Sequence, residues 1–386
     1  LPDIRNFLFV TVFVAILIVS GAWTLFSEDH KQSLVENRNL AQMPNANLKN
    51  LMNGKYAADL ESYLSDQFFG REYWLQYLFE LQAAAYFSDI SGVVKGKENY
   101  LLEIRMYNQT VLSNINHNVK MMTKLAEIVG LDRLYVAVAP RQTQANQDRL
   151  PFYAVNNADE YTDLYLGKLP ADISKIDLRS VIYNNIHADD LYFRTDHHWN
   201  INGTYLAYEE ILNVIRKSFP QIPGPYTKAD YTVSVGTNQF YGSLARRTRN
   251  VYDVPPDRIE LWYPKNYENT IITVGGKEHP EYFNLEILDG PKYAGKYGAF
   301  LGANAMETVY TVPQNEGLPN LLLIGDSYIF SFASLISQHF HKTHLIYLRN
   351  SDTLNIGKIV KDRNISIVLI LTNSQFVIGE KFNQIK

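Results

Sequence analysis

The 386-residue chain has no cysteine. That absence removes disulfides, thiolate nucleophiles and cysteine-bearing metal sites together, and it is compatible with an oxidising exterior, where a free thiol is a liability. An excess of either charge is also missing. The 36 Lys and Arg balance 40 Asp and Glu to a net charge of −4, and no basic stripe offers itself to a phosphate backbone, so nucleic acid is not an expected partner. Internal repeats and low-complexity tracts are absent too. What is present is apolar material: 46% hydrophobic residues fill a sizeable core and exclude a disordered chain. The 27 tyrosines belong mostly in or beside that core, and a minority can line a groove and stack on sugar faces.

Charge is absent altogether from Phe7 to Phe26. Such a run of about 20 residues, at a rise of about 1.5 Å each, spans about 30 Å, the thickness of a bilayer core. Trp23 sits near its outer end, Arg5 precedes it, and Glu28 and Asp29 follow. The positive-inside tendency then keeps the N-terminus in the cytoplasm and exports everything after Ser27. A cleaved signal peptide is the alternative, although Ser20-Gly21-Ala22 offers small residues without a clean A-x-A pattern. A buried core helix is a third reading.

The chain divides on this reading into an anchor or signal peptide (1–27), a polar stalk with N-terminal helices (28–90) and an α/β domain (91–386) carrying an irregular β-rich insertion at about 221–313. Leu60, Tyr63, Leu64 and Phe68, then Trp74, Leu75, Leu78 and Leu81, recur at helical spacing and predict two helices broken near Phe69-Gly70. Further on, helices are expected over Asn118 to Val129, Thr204 to Ser218 (capped by Asn202-Gly203), Ile329 to Phe340 and about Thr353 to Asp362. Short apolar strands are expected at Leu134 to Ala139, Leu321 to Ile324, His344 to Leu348 and Ile365 to Leu371. Helices alternating with buried strands are the rhythm of a parallel sheet covered on both faces.

Two stretches carry chemistry. In Gly325-Asp326-Ser327-Tyr328 the glycine permits a sharp turn after a buried strand, Asp326 can bond into that turn, and Ser327 lands where open α/β folds bind ligands. The next helix start supplies backbone N–H groups for a developing oxyanion. The alternative is that Ser327 is only an N-cap. In Asp196-His197-His198-Trp199, an extended backbone would send Asp196 and His198 to one face. The carboxylate could then fix the imidazole tautomer and leave the other nitrogen for a nucleophile. His197 would point the opposite way, as packing or support. The same residues could instead ligate a metal or be satisfied core histidines beside Trp199. His339, His341 and His344 read as a solvated helix end. Upstream of the serine strand, Gly302 and Asn304 could pair a backbone N–H with a side-chain amide around an oxyanion, or simply form a turn.

Together these residues resemble the DHHW family, related to the SGNH-hydrolase-like O-acetyltransferases of alginate and other exopolysaccharides. The motif residues are Asp196-His197-His198-Trp199, Tyr63 to Arg71, Gly96-Lys97, Phe300 to Asn304 and Gly325-Asp326-Ser327-Tyr328, in family order. The resemblance implies an SGNH, flavodoxin-like three-layer core with Ser327 as nucleophile, His198 as base and Asp196 as its orienting partner. Gly302, Asn304 and the Ser327 N–H would form the oxyanion hole, with His197, Trp199 and Asp326 in support. No cofactor and no metal are expected. It also implies a polysaccharide substrate outside the cytoplasmic membrane, with acetyl supplied by a membrane-bound O-acyltransferase. The Asp-x-His pair precedes the serine, as in the alginate relatives, whereas ordinary SGNH hydrolases place the serine first. Tyr328 departs from the Phe or Leu of many relatives. No carbohydrate-binding module is expected after Lys386, and a grip on glycan is expected from the core and the Tyr-rich insertion. A carbohydrate acetylesterase and a non-catalytic glycan-binding protein remain alternatives.

Overall fold

The computed structural model describes residues 4–85, 87–105, 107, 110–236, 239–303, 305–351, 353–379 and 382–383. It forms two compact units, Leu1–Ile90 with Arg246–Tyr252, and Ser91–Ala245 with Asp253–Lys386.

The first unit begins with α1 (Ile4–Phe26), which is long and apolar enough to cross a membrane. Helices α2 (Lys55–Gln67) and α3 (Arg71–Ala84) follow. They part at Phe68-Phe69-Gly70, as their periodicity predicts. The polar segment before α2 is tied down by side chains at the end of that helix. Gln67 Oε1 accepts from His30 N at 2.9 Å, and its amide donates to the carbonyls of His30 and Ala41, both at 2.9 Å. Arg38 donates through two guanidinium nitrogens to both carboxylate oxygens of Asp66.

The second unit contains, in chain order, α4 (Thr110–Val129), β1 (Leu134–Ala139), α5 (Ala158–Lys168), β2 (Ser174–Asp177), α6 (Ile201–Ser218), β3 (Ile271–Val274) and β4 (Lys277–His279). After these come β5 (Glu307–Thr311), β6 (Asn320–Gly325), α7 (Ile329–Ile336), β7 (Lys342–Tyr347), α8 (Ile356–Asp362), β8 (Ile365–Asn373) and α9 (Ser374–Gly379). An 8-stranded sheet runs in the order β4-β3-β5-β7-β6-β8-β1-β2. From β7 to β2 all neighbours are parallel. On the other side β5, β3 and β4 continue it antiparallel, so part of the irregular 221–313 stretch belongs to the main sheet.

The central parallel strands β6, β8 and β1 are buried on both faces, and successive residues feed opposite layers. Leu321 and Leu323 join Tyr135, Leu369 and residues of α6 and α7 in one core. Leu322 and Ile324 join Val136, Ile370 and residues of α4 and α5 in the other. This is a three-layer α/β architecture.

Two expectations are corrected. Helix α6 starts at Ile201 rather than Thr204, because the Asn200 side chain caps it by accepting from Asn202 N and Gly203 N. His339 and His344 are buried rather than solvated. His339 Nε2 meets the Tyr208 hydroxyl at 2.6 Å, and His344 Nδ1 meets Glu307 at 2.9 Å. Helix α7 packs on α6, which turns the polar residues that follow it inwards.

Candidate active site

Strand β6 ends at Gly325, where a Cβ would come within 1.8 Å of the Leu371 carbonyl on β8. Only glycine lets the two strands approach so closely. Asp326 then bonds back into the turn: one oxygen accepts from Tyr328 N at 2.9 Å and the other from Asn373 N at 2.8 Å. This pins the ends of β6 and β8 together and leaves Ser327 between strand and α7. The Ser327 N–H has no hydrogen-bond acceptor among the described residues. Burial pushes the Asp326 carboxyl up to about 6 against the pull of these two N–H donors.

The stretch holding Asp196 and His198 is not extended. It is a series of bends closed by a bridge between Tyr192 and Trp199 and by Phe193 N donating to His198 O at 3.3 Å. Asp196 and His198 still meet, by a different route: Asp196 Oδ1 accepts from the His198 N–H at 3.0 Å, an Asx turn that brings the imidazole round. His198 Nδ1 lies 2.5 Å from the same oxygen, and its Nε2 lies 2.6 Å from Ser327 Oγ. His197 does not point away. Its ring lies 3.9 Å from that of His198, and its Nδ1 is 2.6 Å from Ser243 Oγ.

These hydrogen bonds set the charges. Burial alone would raise the Asp196 carboxyl; the imidazoles of His197 and His198 and the Ser243 N–H outweigh it and hold the group well below its usual range. Burial and the neighbouring His198 push His197 well below its ordinary value. Ligand atoms of Asp196, His197 and His198 lie within 4.8 Å of one another. Both Asp196 oxygens, both His198 nitrogens and His197 Nδ1 are nevertheless engaged in hydrogen bonds with protein groups, an arrangement suited to proton transfer rather than to ligation.

Residues 98–264 match the family described as "ALGX: SGNH hydrolase-like domain, acetyltransferase AlgX". That span, under half of the chain, is similar to the SGNH hydrolase-like acetyltransferase domain. The matched span includes Asp196 and His198 and stops before Ser327. A protein named "Probable alginate O-acetylase AlgJ" from Pseudomonas syringae pv. tomato is 22% identical over 247 residues, 61% of this chain. The match takes in only 59% of that relative's length. Among solved structures, Bacillus cereus PatB1 with a sulfonyl adduct superposes with a TM-score of 0.63 at 22% identity, over 76% of this chain and 97% of that one. A DHHW family protein from Eubacterium siraeum gives 0.61 at 19% identity, over 76% and 94%. These two likenesses establish the fold.

Trp199 is buried and its indole N–H donates to Ser331 Oγ at 3.0 Å. Gly302 lies against Phe330 of α7 and Leu345 of β7. Asn304 falls outside the described residues.

The structure adds contacts that the motifs did not assign. Tyr297 stacks on the His198 ring, centroids 3.9 Å apart and planes 11° from parallel, while its hydroxyl meets Ser331 at 2.9 Å. The Tyr328 hydroxyl donates to the His197 carbonyl at 2.6 Å, so the unusual tyrosine of the Gly-Asp-Ser-Tyr turn holds the histidine loop. Ser243 N donates to Asp196 Oδ2 at 2.6 Å. Asp257 accepts from Arg194 N at 2.9 Å, Thr195 N at 2.8 Å and the Thr195 hydroxyl at 2.5 Å. For Tyr297 and Ser243 the sequence signals were a tyrosine shortly before Phe300 and a Gly-Ser pair in an irregular stretch.

A Cβ at Gly242 would fall 2.2 Å from Asp196 Cβ and 2.5 Å from its Oδ2. Gly242→Ala is expected to displace the carboxylate and lower kcat/KM on an activated acetyl ester by about 100-fold, the cost of a misplacement of about 1 Å, with the circular dichroism spectrum preserved. Wild-type kinetics in that variant would show that the Asp196 position does not matter.

Burial pushes the Asp257 carboxyl up to about 6, although its three donors pull it down. Asp257→Asn loses acceptor capacity and is expected to cost about 1–3 kcal/mol of stability. The sign with pH follows from linkage. The folded value of about 6 exceeds the unfolded value of about 4. The stabilising contribution of Asp257 is therefore full below about pH 4 and is lost as pH rises through about 6. Denaturation at several pH values should show the wild-type advantage over the variant shrinking across that window; a constant difference would refute the assignment.

Proposed function

We propose that this chain is a membrane-anchored, extracytoplasmic O-acetyltransferase that esterifies hydroxyl groups of a polysaccharide or cell-surface glycan through an acetyl-Ser327 intermediate. The observation that carries this reading is the unbroken line Asp196–His198–Ser327, with spacings of 2.5 and 2.6 Å. His198 Nε2 takes the Ser327 proton as Oγ attacks the acetyl carbonyl of the donor. The bond to the leaving group breaks, and His198 returns the proton to that group. In the second half His198 deprotonates a sugar hydroxyl, which attacks the acetyl-serine, and the proton goes back to Ser327. Asp196, held as a carboxylate, keeps Nδ1 protonated and stabilises the imidazolium in both halves. The unengaged Ser327 N–H, with Gly302 and Asn304, receives the oxyanion.

The resemblance to alginate acetylation proteins supports a glycan acceptor, and α1 supports anchoring, with acetyl arriving from a membrane-bound O-acyltransferase. Incubation with an activated acetyl ester and candidate oligosaccharides tests the reading. Acetylated oligosaccharide is the expected product. Free acetate alone, in the presence of acceptor, would make the protein an acetylesterase. A phenylmethylsulfonyl adduct mapped by mass spectrometry should fall on Ser327; a labelled site elsewhere, or none, would remove Ser327 from the mechanism.

A further inference from the structure

Helix α3 turns an apolar stripe to solvent. Tyr73 is 84% exposed, Trp74 59%, Tyr77 56%, Leu78 45% and Leu81 49%. Their spacing of i, i+1, i+4, i+5 and i+8 places them on one side of the helix. Glu72, on another side of the helix, pairs with the buried Arg249 at 2.6 Å. Among monomeric soluble proteins an exposed apolar strip of this kind marks an interaction surface.

What covers the stripe is indicated by its tether to α1. Trp23 packs against Phe69 with ring centroids 4.9 Å apart, and the Phe69 N–H donates to Thr24 Oγ1 at 3.0 Å. Trp74 in turn donates its indole N–H to the Phe69 carbonyl at 3.2 Å. Thr24 is two residues before the end of α1, about 3 Å along the helix axis. The polar interface of a bilayer is about 5–7 Å deep on each side. If α1 spans the membrane, Phe69 and the start of α3 therefore sit at interfacial depth. Tyrosine and tryptophan favour that zone, where an apolar ring meets lipid and a polar tip meets water. The leucines lie further along the same stripe.

We infer that α3 is a second, interfacial membrane contact, lying with its Tyr73-Trp74-Tyr77-Leu78-Leu81 face in the lipid headgroup zone beside the anchor. This rests on the anchoring part of the proposed function, and it adds a contact that would fix the first unit against the membrane surface rather than leave it hanging from α1. The stripe carries no basic residue, so binding should not depend on anionic lipid.

The four tryptophans, at positions 23, 74, 199 and 262, make the test direct. Trp199 and Trp262 are buried, at 0% and 5% exposure, so lipid can reach only Trp23 and Trp74. The full chain is reconstituted in phosphatidylcholine vesicles whose acyl chains are brominated near the carbonyl end, a contact quencher of indole. In the Trp23→Phe variant the expected result is quenching equal to the share of one tryptophan, unchanged when anionic lipid is added. That quenching should disappear in Trp23→Phe/Trp74→Phe. Emission of Trp23→Phe that ignores bromine but is quenched by iodide in the aqueous phase would overturn the inference, because Trp74 would then face water. The Trp74→Phe variant reports separately on the anchor. Quenched Trp23 with unquenched Trp74 defeats the interfacial contact alone, whereas failure of both defeats the anchor reading as well. Tyr77→Asp in the Trp23→Phe background should reduce Trp74 quenching by placing a charge on the stripe; unaltered quenching would show that the stripe is not the embedded face.

Discussion

Ser327→Ala is expected to lower acetyl release from an activated ester by on the order of 10³- to 10⁶-fold, the range seen when a serine acting as a unit with its base is removed. Nothing else in the described site can replace the oxygen: Ser243 and Ser331, the neighbouring hydroxyls, are committed to His197 and to Trp199. Stability should barely change. Ser327 Oγ is partly exposed and its recorded side-chain partner is His198, whereas the turn itself is held by Asp326. His198→Ala should lose a similar factor, and the double variant little more, because two members of one proton-transfer unit are not additive. The measurement is a side-by-side comparison of ester hydrolysis, acetyl transfer and thermal unfolding. Full activity in either single variant would remove the proposed mechanism, and a collapse of Tm would assign the residue a structural role instead.

Asp196→Asn should cost about 10⁴-fold in kcat, with KM little altered. The carboxylate accepts from the His198 backbone N–H and faces His198 Nδ1 through one oxygen, while its other oxygen accepts from Ser243 N. An amide can satisfy one of these positions but must present its NH₂ group at the other. If the NH₂ faces His198, Nδ1 becomes the acceptor and the ring proton moves to Nε2. That nitrogen then donates to Ser327 Oγ and cannot take its proton. If the NH₂ faces Ser243 N instead, two donors confront each other and the loop is pushed apart. Either outcome disables the base without touching the serine, so sulfonyl labelling should slow in parallel with acetyl transfer. A variant that retains even a tenth of wild-type kcat would show that His198 needs no carboxylate to act.

Much of the architecture was legible because strand and helix periodicities are local. The LLLI run before Gly325 and the LYVAVA run before Pro140 can bury both faces only inside a covered parallel sheet. The paired helices of 51–87 were legible for the same reason. The helix start at Ile201 was misplaced because a cap depends on which side chain turns back, and both Asn200 and Asn202 are competent. His339 and His344 read as exposed because polarity is a statistical guide, and only α6 and β5 supply the Tyr208 and Glu307 that satisfy them.

The sequence by itself determined which residues could react: no thiol, one serine at a strand end, and an aspartate two residues from a histidine. The backbone route by which that last pair meets was not legible, since spacing of two is shared by an extended strand and an Asx turn, and only the bridge from Tyr192 to Trp199 selects between them. Tertiary structure alone decided that the two stretches meet. Ser327 and His198 are 129 residues apart in the chain, and their hydrogen bond exists because Tyr328 clasps the His197 carbonyl and Tyr297 stacks behind the imidazole. It also decided the roles of Gly242, Ser243 and Asp257, which approach Asp196 and its loop from an irregular stretch. Such contacts are set by chain reversal and packing over long separations, and no local pattern of residues encodes them.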